Sequence, residues 1–155
     1  MNAKLEKVNP GVIAEIAQDG ANRTLVLSAD GKLELFPAVQ EVFARRPSVT
    51  GWTIVAFRPR GDLSSSIEMG GKKVEMSRLK FVAEKSGSKL DVVLFMPGYV
   101  ENDQLKLLGY LVLDHTVGEY DMETRIGGVD FDSLSHAPRE AKPLVELRPA
   151  VDAIE

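Results

Sequence analysis

The chain has 155 residues, of which 44% are hydrophobic and 27% charged, with a net charge of -4 and a pI near 5.3. That is the composition of an ordinary soluble domain with a real core, and its acidity argues against nucleic acid or a membrane surface as a partner. With no cysteine, disulfides and thiol chemistry are excluded.

The opening MNAKLEKVNPGV has no signal-peptide core, and no apolar run reaches the ~20 residues of a membrane span, which together imply a cytoplasmic protein. Asn9-Pro10 reads as a helix start, with Val12, Ile13 and Ile16 as a short apolar face and Gly20 as its end. Thr24–Ser28 (TLVLS) is rich in strand formers, and Ala29-Asp30-Gly31 is turn chemistry.

Pro37 opens a helix whose Leu35, Val39, Val42 and Phe43 recur at helical spacing. Arg45 and Arg46 suit its last turn, and Pro47 stops it. WTIVAFRPR follows, apolar on both faces, as a central strand would be. Strand, helix, strand predicts a parallel crossover.

In IEMGGKKVEM, a Gly70-Gly71 turn pairs Ile67 with Val74 and Glu68 with Lys73, so an apolar pair and an ion pair support one register. A second hairpin turns at Ser86-Gly87 and sets Phe81 opposite Val92. Asn102 or Asp103 caps a long helix, apolar on nearly every side, that ends at Gly118. Tyr120–Ile126 and Val129–Phe131 form a last strand, bulged at Gly127-Gly128. In the tail, Leu144, Leu147, Val151 and Ile154 keep helical spacing around Pro149. With no repeat or linker, the reading is a single domain over 1–155. The element order predicts an α+β fold of the ferredoxin-like plait type, mostly antiparallel, with an extra hairpin and helices on one face.

ADGKLELFPAVQEVF, GWTIVAFRPR, LVLDHTVGEYD and LVELRPAVD together resemble a group of uncharacterised bacterial single-domain proteins. The resemblance implies a compact bacterial α+β domain and brings no activity with it.

Two places carry residues suited to chemistry. Asp114 and His115 end the apolar helix, and Glu119, Tyr120 and Asp121 follow within seven residues. A carboxylate-histidine site could serve a divalent metal or acid-base work; the structural alternative is a His bonded to a backbone carbonyl and an Asp paired with Arg58, Arg125 or a residue of the tail. Arg58 and Arg60 stand at the exit of the WTIVAF strand, where open sheets bind anions. With two histidines and no HxH, HExxH or DxD pattern, neither a metal nor a cofactor is expected. Gly70-Gly71-Lys72-Lys73 lacks phosphate-loop spacing, and Ser64-Ser65-Ser66 lacks a paired base.

The expected function is a small binding or interaction module, forming a homodimer or binding another protein through an open sheet face or an edge strand. The alternative is a small enzyme or ligand sensor, whose site would gather Arg58, Arg60, Asp114, His115, Glu119 and Tyr120 in one pocket.

Overall fold

A computed structural model describes residues 9–154 and shows a mixed α+β protein. The signal-peptide reading falls mainly on residues 1–8, outside the described residues. The chain divides after Pro59 into two compact units, each with its own hydrophobic core.

In the first unit, β1 (Ile13–Asp19) and β2 (Asn22–Ser28) form an antiparallel hairpin from Ile13↔Ser28 to Asp19↔Asn22. The helix expected over Val12–Ile16 is therefore a strand. Its supposed start is a β-turn, closed by the Val12 N–H on the Asn9 carbonyl at 3.3 Å, with Gly11 at φ 93° after Pro10. Its supposed stop, Gly20, is a hairpin turn residue at φ 59°. Val12, Ala14 and Ile16 share one face of the extended chain; Val12 and Ala14 are buried, whereas Ile16, farther along the hairpin, is exposed.

β2 leads through a 3-10 turn (Leu33–Leu35) into α1 (Phe36–Ala44) and then β3 (Trp52–Ala56), which pairs parallel to β2 as the order predicts. Arg45 and Arg46 lie just past α1, and Arg46 Nη1 donates to the Phe43 carbonyl at 2.9 Å. The strand order is β1-β2-β3, so β2 is central and β3 an edge, contrary to the expectation from its two apolar faces. Ile54 and Ala56 pack on the core, whereas Trp52 is only half-buried, with the Arg23 guanidinium 5.6 Å from its ring centre.

The second unit opens with β4 (Ser66–Met69) and β5 (Lys72–Glu75), paired in the expected register. Gly70 and Gly71 have φ of 57° and 76°, the two positive values of a type I′ turn. β6 (Lys80–Ser86) and β7 (Lys89–Met96) form the second hairpin, but Phe81 faces Leu94 rather than Val92. The turn is Gly87-Ser88, with Gly87 at φ 62° in the first central position. The register moves by two residues, so every side chain keeps its face.

From β7 the chain runs through α2 (Asp103–Val117) and α3 (Glu119–Arg125) to β8 (Ile126–Ser133), parallel to β7. β9 (Lys142–Pro143) pairs with β6, giving the order β8-β7-β6-β9, and α4 (Leu147–Asp152) closes the unit. Pro149 sits in the first turn of α4, where its missing N–H costs nothing. The register shift opposite Asp91 confirms the bulge at Gly127-Gly128, whose Gly128 N–H donates to Asp91 Oδ1 at 2.6 Å.

Three expectations need correction here. Residues 119–125 are helical: Glu119 and Asp121 in the first turn and Arg125 in the last suit the helix dipole. α2 is buried along one face only, by Leu108, Val112, Leu113 and Val117, each contributing about 1.5–3 kcal/mol; Leu107, Tyr110 and Leu111 remain exposed. The strands do not build a split β-α-β plait, because β2 and β3 are direct neighbours in one sheet and β6–β9 form another.

Candidate functional site

Five of the six candidate residues lie in the second unit, around the elbow between α2 and α3. Asn102 Oδ1 accepts from the Leu105 N–H at 2.9 Å and fixes the start of α2. Gly118, at φ 84°, ends α2 and is also the N-cap of α3. Its N–H donates to the Asp114 carbonyl at 2.8 Å, and its carbonyl accepts from the Met122 N–H at 2.9 Å.

The last carbonyls of a helix need donors from outside it. Here Gly61 N–H donates to the His115 carbonyl at 2.7 Å, Arg148 Nε to Thr116 at 2.7 Å, and Arg60 Nε to Val117 at 3.1 Å. Arg148 Nη2 also donates to the Gly61 carbonyl. Two guanidinium groups therefore sit at the negative end of the α2 dipole.

Arg60 further binds Asp121 Oδ2 at 2.9 Å and chelates Asp152 with both terminal nitrogens. Those carboxylates, Asp152 above all, hold the Arg60 guanidinium well above its ordinary range, against the effect of burial. Arg60 in turn holds the Asp152 carboxyl low. Burial lowers Arg148, and neighbouring Arg60 lowers it further. Arg125 completes the network through Asp121 at 3.3 Å and the Val151 carbonyl at 3.1 Å.

His115 lies against Gly61, where any Cβ would overlap the imidazole. Its Nε2 is 3.1 Å from the Asp62 carbonyl, so Nε2 carries the proton and donates. Ser64 Oγ bonds the Asp62 carboxylate at 2.8 Å. Since His115 meets the Asp62 main chain, no Ser-His-Asp relay forms; the serine run is a polar loop folded on Asp62.

Glu119 is fully buried at the start of α3, whereas Tyr120 is 44% exposed. The Glu123 carboxyl is raised by burial, with Asp114 and Glu119 adding to the rise and Lys89 opposing it. Asp114, Glu119 and Glu123 thus share one electrostatic neighbourhood, and among the described residues no group of three or more acidic or His side chains could hold a metal ion.

Arg58 belongs to the first unit. Its Nε donates to Glu15 Oε1 at 2.9 Å and its Nη2 to Asp30 Oδ1 at 2.7 Å. Each of the two arginines bonds to acids of its own unit. Arg148 was not legible as a site residue, because its bonds to Gly61 and Thr116 span 87 and 32 positions with no local signature.

No protein-family model, curated protein or solved structure matches the chain. Among the described residues, no helix is long and apolar enough to cross a membrane.

Proposed function

We propose that the protein is a small cytoplasmic binding module that self-associates as a homodimer, pairing strand β3 of one copy with β3 of the other. The observation that carries this reading is the place of β3 at the end of its sheet, where among the described residues no strand pairs with its outer side. The Phe57 N–H donates to the Leu27 carbonyl at 2.7 Å, and backbone alternation then turns the Ile54 N–H and C=O away from β2. An edge of this kind is a template for another strand.

Beside it lies a hollow of about 470 Å³, lined by Arg46, Val49, Trp52 and Ile54 among others, which would accept a side chain from the incoming strand. A β3–β3 pair is self-complementary, as a twofold dimer requires. The partners of Arg58, Arg60 and His115 favour structural roles over a small enzyme or sensor, since their donors already bond to protein acceptors. The acidity of the chain weighs against nucleic acid as a partner. Kinship with bacterial single-domain α+β proteins remains part of the proposal and adds no activity to it.

Sedimentation velocity tests the reading. The wild type is expected to dimerise with concentration, and Thr53→Lys, which places a charge on an exposed edge position, is expected to stay monomeric with an unchanged fold. A wild type that is monomeric throughout, or a Thr53→Lys dimer as tight as the wild type, would overturn it.

A further inference from the structure

We propose that the open face of the sheet in the second unit docks an arginine-bearing segment of a partner polypeptide. Phe81, Val92 and Leu94 turn inward to the core that α2 shares, so the alternate residues of β6, β7 and β8 turn outward. The register sets their places. Glu84 stands opposite Asp91, and Val82 stands opposite Val93, whose other neighbour is Asp130. The two valines are half-buried and the three acids exposed. These residues line a groove of about 490 Å³, and Glu140, from the stretch that joins β8 to β9, adds a fourth carboxylate to it.

Glu84 and Asp91 are directly opposed on one face, an arrangement that costs stability. No lysine or arginine lines the groove. Among the described residues, none of the four acids forms an ion pair; Asp91 Oδ1 accepts only the Gly128 N–H, at 2.6 Å. The repulsion is thus left standing within the chain, and a cation brought from outside converts it to attraction.

The floor and the spacing select the cation. Among the described residues, no group of three acids could hold a metal ion. The half-buried valines offer apolar surface between the acids. An arginine side chain lays an apolar stem on such a surface while its charged head stays in water. Its planar fork can bond a carboxylate through two parallel hydrogen bonds, which a lysine ammonium cannot match. Two residues along β7 and one strand across separate the backbones of Asp91 and Asp130 by about 8 Å. Arginines at alternate positions of an extended segment are about 7 Å apart and serve both acids. This face belongs to the second unit and β3 to the first, so neither proposal rests on the other.

The probe is a blocked peptide, Ala-Arg-Val-Arg-Ala, titrated into the full chain and followed by the backbone amide NMR signals of β6, β7 and β8. Saturable shifts are expected around Val82, Glu84, Asp91 and Asp130. The same peptide with citrulline for arginine keeps the shape without the charge, and should bind at least about tenfold more weakly. Lysine in place of arginine should weaken binding at least about twofold. Glu84→Gln should weaken binding at least about threefold and, by relieving the opposed pair, raise the Tm by about 1–3 °C. Glu34→Gln, at an exposed acid of the first unit, should change neither. Spermidine should displace the peptide only at concentrations well above that of the peptide itself. Absence of saturable shifts, equal binding of the citrulline peptide, a Glu84→Gln protein with unchanged affinity or unchanged Tm, or a loss with Glu34→Gln as large as with Glu84→Gln would overturn the proposal. Spermidine binding tighter than the peptide would also overturn it, by assigning the groove to a free polyamine.

Discussion

Arg148 Nε donates to the Thr116 carbonyl at 2.7 Å, so a residue of the C-terminal segment closes the end of helix α2. The same guanidinium reaches the Gly61 carbonyl, and one planar group thereby ties together three stretches of chain. Charge-assisted hydrogen bonds contribute about 1.5–3 kcal/mol. Arg148→Ala should therefore lower stability by about 2–3 kcal/mol, measured by urea unfolding. Arg148→Lys should recover less than half of that, since a single ammonium cannot match a fork of donors on two carbonyls. A loss below about 0.5 kcal/mol for Arg148→Ala, the range of ordinary surface substitutions, would show that water replaces these bonds without cost.

Gly61 and His115 should be strongly coupled. Gly61→Ala places a methyl group inside the imidazole and should cost about 1–3 kcal/mol, the range of overpacking. In a His115→Ala background the same methyl enters vacated space, and its cost should nearly vanish. A thermodynamic cycle reads this as a coupling above about 1 kcal/mol. Additive effects would mean that the ring moves aside freely.

The Glu123 carboxyl sets a pH dependence. Burial raises it, and Asp114 and Glu119 add to the rise against Lys89. The folded state then holds this proton to higher pH than the unfolded chain does. The contribution is present below the unfolded value of about 4.3 and is lost as pH rises through the folded value. Glu123→Gln keeps the neutral shape, so it should be more stable than the wild type at neutral pH and equal to it below about pH 4. Equal stability at both pH values would show that the carboxylate is solvated well enough to ionise at no cost.

Local turn chemistry was legible in the sequence where it was unambiguous. Gly70-Gly71 set a register that the structure reproduces, because two adjacent glycines allow both positive φ values and the flanking pairs agree. The Gly127-Gly128 bulge was legible because two adjacent glycines interrupt a strand pattern. Where a residue serves two kinds of boundary, the reading failed. Pro10 and Gly20 fit helix ends as well as turns, and only pairing with β2 decides between them. Gly118 has the signature of a helix end, but it is also the start of the next helix. Asp114, His115, Glu119 and Tyr120 are close in the chain, but counting gives no reason for the acids to converge, and the partners of Arg60 and Arg148 come from tertiary structure and left no periodic trace.

The central claim is that β3 is a pairing edge, and the amide of Ile54 reports on it directly. In a monomer this N–H points away from β2 and should exchange with solvent far faster than that of Val55, whose N–H faces β2. Residue-resolved hydrogen exchange across a concentration series should show protection of Ile54 growing with dimer, while Val55 changes little. An Ile54 amide that exchanges equally fast at every concentration would contradict pairing through β3.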